Sequence, residues 1–229
     1  MSAKSFVAEC VICGALTRTV IDAQLVKPKP VRYAVCDACG FIRKAPTTHP
    51  SPSAEKAVYD QHRNSFDSPG YVAMFERFIA KAVDPFITRG RGLDFGSGPG
   101  PVLHQLLERQ GFSMRHYDPY YHPISDVFND RYNLITATEV FEHLSDPKAT
   151  FATLIERLMP GGILAVQTMF HPANDAAFLD WWYRRDATHI GFFTPTTFHH
   201  LAKHHPVRIA YHDTKNIVVI QKHETRSNA

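Results

Sequence analysis

Four cysteines stand in two pairs, Cys10-Val-Ile-Cys13 and Cys36-Asp-Ala-Cys39, and each pair is followed by a glycine, Gly14 and Gly40. Two thiolates three positions apart can grip one tetrahedral ion, and a glycine after the second lets the backbone close tightly around it. Free buried thiols or a redox pair are the other uses of such residues, and iron can occupy the same cage. Two glycine-followed pairs in one short segment point to zinc held by Cys10, Cys13, Cys36 and Cys39. With sulfur at all four positions the site is closed, and hence structural.

A second group of residues suits a nucleoside. Asp94-Phe-Gly-Ser-Gly-Pro-Gly100 lies between an apolar run and a helical stretch. Glycines at such a turn let the backbone approach a ligand, and the following helix offers free N–H donors. A bare tight turn would use the same residues. Asp118, at the end of the next apolar run, stands where an acid accepts hydrogen bonds from ribose hydroxyls in dinucleotide folds. Before Pro119 it could equally shape a turn. The glycines fall at 96, 98 and 100 with none at the helix start, so the loop lacks the pyrophosphate spacing and favours a nucleoside with an uncharged linker over NAD.

The elements that must hold these residues read as an α/β core. The chain has 229 residues, 44% hydrophobic and 21% charged, ordinary values for a soluble globular protein. Apolar runs at Gly92–Phe95, Ser113–Tyr117, Asn133–Val140 and Gly162–Met169 alternate with helical stretches, one of them at Lys148–Leu158. Strands alternating with helices imply a parallel sheet. Arg208–His212 and Asn216–Gln221 predict a closing antiparallel hairpin. Residues 54–89 read as helical, with Tyr71, Phe75, Phe78, Ala82 and Phe86 on one apolar face. The expected organisation is a zinc-binding module over 1–45, a Pro/Ser/Thr-rich linker over 46–53, and one α/β domain over 54–229.

Composition narrows the class further. The formal charge is only +3, with Lys and Arg dispersed apart from Arg184 and Arg185, which argues against a nucleic-acid partner. Fourteen histidines make the charge responsive to pH where imidazole titrates. No apolar run reaches the ~20 residues that span a bilayer, and Met1 to Ala8 lacks a secretory pattern, so a cytoplasmic protein without membrane partners is expected. In that reducing compartment disulfides are not expected.

Four segments carry a family resemblance. Leu93-Asp-Phe-Gly-Ser-Gly-Pro-Gly100 resembles the first motif of class I S-adenosylmethionine-dependent methyltransferases. Tyr117-Asp118 resembles their second motif, and Tyr132-Asn-Leu-Ile-Thr-Ala-Thr-Glu-Val-Phe-Glu-His143 their fourth. Leu158-Met-Pro-Gly-Gly162 is similar to the turn before their fifth strand. The resemblance covers roughly residues 70–223. It implies a Rossmann-like, seven-stranded sheet and S-adenosylmethionine as cofactor. Asp94, Gly96, Ser97, Gly98 and Gly100 would border the cofactor, Asp118 would bind the ribose diol, and Thr138 and Glu139 would line the pocket near the sulfonium and adenine. The stretch from Asp118 to Tyr132 is too short for the helix, strand and acidic turn that many relatives use for adenine. Val127 and Phe128 are the residues there that could reach the base.

Glu142-His143 resembles a feature of the small-molecule O-, N- and C-methyltransferases. Asp186-Ala-Thr-His189-Ile-Gly-Phe-Phe193-Thr-Pro resembles a segment these enzymes place near their active site. His143 and His189 are chemically suited to remove a proton from an acceptor, with Glu142 orienting His143 or bracing a loop, although all three can be structural. Trp181, Trp182, Tyr183, Phe192 and Phe193 could wall an acceptor pocket or fill the core. The function expected is methyl transfer from S-adenosylmethionine to a small molecule. The alternatives are an RNA methyltransferase gripping its substrate with the zinc module, and a non-catalytic cofactor-binding protein. The acceptor and the oligomeric state are not readable from sequence.

Overall fold

The computed structural model describes residues 8–23, 30–61 and 65–224. The N-terminal stretch considered above as a possible leader lies, except for Ala8, outside the described residues. Three strands come first, β1 (Arg18–Asp22), β2 (Val31–Val35) and β3 (Ile42–Lys44), then helices α1 (Pro52–Tyr59) and α2 (Pro69–Ala82). The α/β part runs β4 (Gly90–Phe95), α3 (Val102–Arg109), β5 (Phe112–Tyr117), β6 (Tyr132–Thr138), α4 (Pro147–Arg157) and β7 (Leu158–Gln167). It closes with α5 (Asp175–Asp180), β8 (Gly191–Phe192), α6 (Pro195–Ala202) and the hairpin β9 (Val207–His212) and β10 (Ile217–Lys222).

The main sheet has the order β5-β4-β6-β7-β10-β9. Its first four strands are parallel, and β10 runs antiparallel to both neighbours. This central, mostly parallel sheet is the Rossmann-like arrangement typical of methyltransferases. The expected seventh strand is missing among the described residues, where the sheet has six. The chain between Asp118 and Tyr132 forms a tight turn, with Asp118 and His122 bridged, and then a 3-10 helix over Ser125–Asn129. A parallel crossover needs a dozen or more residues, so this connection is too short to add an edge strand and still return to β6.

Alternation in the central strands decides which helices cover which face. Leu134, Ile163, Ala165 and Val219 meet α2 and α3 through Phe75, Phe78, Ile79, Leu103 and Leu107. Their neighbours Ile135, Leu164, Val166 and Val218 point the other way, toward Phe151, Leu154 and Ile155 of α4 and Phe198 and Leu201 of α6. Such side chains are almost fully buried, and each of the larger ones contributes roughly 1.5–3 kcal/mol by leaving water. Asp146 caps α4 by accepting from the Ala149 amide, and Thr194 and Thr197 form a capping box at α6.

The cysteine-bearing segment is joined to this core. Its sheet, β1-β2-β3-β8, is completed by β8 from the far end of the chain, with Ile42 opposite Phe192. Cys10, Cys36, Cys39 and Phe41 pack into the same apolar cluster as Phe193 and Phe198. Thr197 Oγ1 donates to the Cys39 carbonyl at 3.0 Å, and buried Arg184 pairs with buried Asp22.

Topology then fixes where a ligand can sit. The chain leaves β4 for β5 on one side and reaches β6 on the other, so the connections diverge at the carboxyl ends of β4 and β6. In open α/β sheets that divergence opens the binding crevice.

Candidate active site and cysteine cluster

Both cysteine pairs form the expected knuckles. The amides of Gly14 and Gly40 donate to the carbonyls of Cys10 and Cys36, each at 2.8 Å, and both glycines have positive φ, 79° and 73°. The Sγ atoms of Cys10 and Cys39 are 3.6 Å apart, those of Cys13 and Cys36 3.5 Å, and all four lie within 4.8 Å of one another. Tetrahedral zinc with sulfur at about 2.3 Å sets its sulfurs about 3.8 Å apart. The donor set and its spacing therefore fit zinc.

At the crevice, a cavity of about 710 Å³ opens over the ends of β4, β5 and β6. Asp94, Gly96, Ser97, Gly98, Asp118, Thr138, Glu139, His143 and His189 all line it. Gly100 lies outside the lining. Glu142 stands behind it, fully buried. Volumes of this size are typical of small-molecule sites, with room for a nucleoside cofactor and an acceptor together.

The glycine loop is set by backbone geometry. Gly96 and Gly98 have φ of 77° and 65°, and a Cβ on Gly96 would come within 2.3 Å of Val140 Cγ2. Only glycine meets both conditions at Gly96. Asp118 has two tasks: Oδ2 accepts from the Gly98 amide at 3.0 Å, and Oδ1 accepts from the amides of Tyr120 and Tyr121 at 2.8 and 3.1 Å. The acid thus shapes its own turn and ties that turn to the loop. Asp94 is buried at the end of β4 and accepts from Thr136 Oγ1 at 2.9 Å. Burial pushes its carboxyl up to about 7.

Glu139 and Glu142 share one hydroxyl. Tyr183 Oη lies 2.9 Å from Glu139 Oε2 and 2.6 Å from Glu142 Oε1. Gln167 Nε2 and Thr168 Oγ1 donate to the remaining oxygens of Glu139 and Glu142. Tyr183 has one proton to give, so the two carboxyls fit around it only when one of them is protonated. Burial, reinforced by the charge of Glu142, pushes Glu139 up to about 8, and burial also raises Glu142. Glu139 has a φ of 54°, a left-handed conformation that is strained for a residue with a side chain and clusters at functional sites.

The two histidines meet as their segments fold together. Their ring centroids are 4.8 Å apart. His143 Nδ1 lies 3.0 Å from the Thr188 carbonyl and His189 Nδ1 2.8 Å from the Tyr183 carbonyl. A carbonyl only accepts, so both Nδ1 atoms carry the proton and both Nε2 atoms keep a lone pair. Burial lowers His143 and brings His189 down to about 4, and each ring opposes protonation of the other, so the neutral pair is favoured at pH 7.

Sequence reasoning missed the roof of the cavity. Glu55 and Tyr59 of α1 line it, and Glu55 accepts from the hydroxyls of Tyr59 and Tyr120 at 2.7 and 2.6 Å. Asp186 also lines it. No motif marks Glu55 or Tyr59, which fall at the start of the stretch read only as helical, whereas Asp186 opens the segment that resembles one near the active site. The aromatic group divides: Trp182 and Tyr183 face the cavity, whereas Phe192 and Phe193 are core. Val127 is core and Phe128 packs against Tyr117, both outside the lining; Phe95 and Tyr117 line it instead.

Comparison with known proteins shows the family. The model of the methyltransferase-domain family matches residues 54–205, and the chain belongs to that family. Among solved structures, an S-adenosyl-L-methionine-dependent methyltransferase assignment from Methanococcus maripaludis aligns over 76% of this chain and 94% of its own, at 19% identity and TM-score 0.50. Mitomycin 7-O-methyltransferase aligns over 76% of this chain and 59% of its own, at 15% identity and TM-score 0.52. An O-methyltransferase family protein from Burkholderia thailandensis aligns over 76% and 60%, at 14% identity and TM-score 0.49. The chain therefore spans about three fifths of the length of the last two. At these identities the likeness concerns the fold. The search of curated proteins returned no match.

Proposed function

We propose that the protein transfers a methyl group from S-adenosylmethionine to the oxygen, nitrogen or carbon of a small molecule. The observation that carries this reading is one cavity bounded by the glycine loop and Asp118 on one part of its wall and by His143 and His189 on another. Asp94, Gly96, Ser97, Gly98 and Asp118 would hold the methionine and ribose portions, with Gly100 supporting the loop from outside the lining, and Thr138 and Glu139 would border the sulfonium. Acidic groups suit a cationic ligand, and Phe95 and Tyr117, stacked with centroids 5.6 Å apart, offer an apolar border for a base. When bound, S-adenosylmethionine supplies an electrophilic methyl group.

The chain's own residues would supply orientation and a proton sink. Nε2 of His143, held by the Nδ1 contact to Thr188, would take the proton that a hydroxyl or amine acceptor loses as its lone pair bonds to carbon. His189 is the second candidate. Fully buried Glu142 would act as a positioning residue, 3.8 Å from His143 Nε2. The four cysteines would hold one structural zinc, fixing β3 and through it the β8 segment that leads from His189. Residues 1–45 would form the zinc module, 46–53 the linker and 54–229 the catalytic domain. The test is transfer of labelled methyl from S-adenosylmethionine to members of a small-molecule acceptor panel; RNA as the sole labelled product would favour the nucleic-acid alternative.

A further inference from the structure

A second metal-ligand set lies beside the cavity, formed by residues from two segments distant in sequence. One ligand atom from each of Glu142, His143 and His189 lies within 4.8 Å of the other two. Two imidazoles and one carboxylate with open positions on one side form a donor set for divalent first-row metals.

The surroundings prepare each ligand. In metal sites the non-ligating histidine nitrogen donates to a carbonyl or carboxylate, which fixes the ring and leaves the other nitrogen to bind. Here both histidines make that contact, His143 to Thr188 and His189 to Tyr183. Glu142 is likewise held, Oε1 by the Tyr183 hydroxyl and Oε2 by Thr168 Oγ1. Its Oε1 is 3.8 Å from His143 Nε2, and Asp186 Oδ2 is 3.9 Å from His189 Nε2. Ligands about 2.1 Å from one metal and at right angles are about 3.0 Å apart, so Glu142 and His143 would close by roughly an ångström on binding. Glu142 backs the site, and the histidines that line the cavity leave its open side there.

We propose that Glu142, His143 and His189 hold a divalent first-row cation whose open positions take a chelating pair of oxygens on the methyl acceptor. The acceptor class is then a compound with adjacent hydroxyls, or a hydroxyl beside a carbonyl. This rests on the methyl-transfer reading and deepens it. With the cation bound, the imidazoles act as ligands rather than bases. The coordinated hydroxyl loses its proton to solvent, its oxygen bonds to the methyl carbon as the carbon–sulfur bond breaks, and the bonding pair stays on sulfur as a neutral thioether.

The test titrates Mn²⁺ into zinc-loaded, full-length protein and follows the six-line resonance of free Mn²⁺. Manganese, a weak competitor for thiolates, reports on the nitrogen and oxygen site. One Mn²⁺ per chain should bind, and His143→Ala and His189→Gln should each weaken binding ~10-fold or more, as disturbed ligation does. His116→Gln, outside the set, should not. S-adenosylhomocysteine binding in the same variants reports on fold and donor site separately. Its retention alongside lost Mn²⁺ binding supports the proposal. Absence of Mn²⁺ binding up to millimolar concentration, or undiminished binding in both ligand variants, overturns it. Mn²⁺ bound as expected without any S-adenosylhomocysteine binding would instead overturn the methyl-donor reading.

Discussion

Asp118 accepts a hydrogen bond from the amide of Gly98 at 3.0 Å, so the acid expected to hold a ribose also anchors the loop beside it. Asp118→Ala should therefore weaken S-adenosylmethionine binding by about 1–3 kcal/mol, the range for losing hydrogen bonds to a charged group. Calorimetry on the purified variant measures this. Unchanged affinity would reduce Asp118 to a turn residue.

Zinc should be found at about one ion per chain by elemental analysis, and Cys36→Ser should remove it. Because the cysteines share a cluster with Phe193 and Phe198, and β3 pairs with β8, loosening should spread beyond the module. Hydrogen exchange should accelerate in residues 30–45 and in 186–198 together. Native protection of both segments in metal-free protein would contradict a structural zinc.

Asp94 ties cofactor affinity to pH. Its carboxyl, raised to about 7 by burial, is largely neutral below that pH in the free protein, whereas a cationic ligand favours the ionised form. Affinity for S-adenosylmethionine should thus rise as pH increases toward 7, by at most about tenfold per unit for one linked proton, and flatten above it. Asp94→Asn should lose this rise. For stability the sign is opposite: the free protein binds the extra proton between the ordinary carboxylate value and about 7, so this group's stabilising contribution, complete at low pH, is lost as pH rises through 7. Identical affinity profiles for both proteins would remove Asp94 from the cofactor site.

Assayed without added divalent cation, His143→Ala should lower kcat by roughly 10²–10⁴, the range for loss of a general base, while leaving S-adenosylhomocysteine affinity nearly intact. Burial lowers this imidazole, so the acid limb of the native rate profile should lie below the ordinary histidine value. A near-native rate in this variant and in His189→Ala would make both histidines structural.

Much of this site was legible because its chemistry is local in sequence. The cysteine pairs with their glycines, the 96–100 loop and the strand ending at Thr138 each advertise a backbone shape. Apolar runs alternating with helical stretches also marked the parallel strands. What escaped detection depends on distant pairing. β8 has two residues and no periodicity, and it exists as a strand because β3 lies beside it. Glu55 joins the cavity only when α1 folds over Tyr120. The resemblance implies seven strands, whereas the short connection after Asp118 leaves six among the described residues.

The central claim is methyl transfer at this cavity, and the most direct measurement is label from methyl-labelled S-adenosylmethionine appearing in a small-molecule product. The native protein should transfer label to at least one acceptor with adjacent oxygens, and Asp118→Ala and His143→Ala should both slow it. A protein that binds S-adenosylmethionine yet transfers no label across hydroxyl, amine and carbon acceptors would contradict the account.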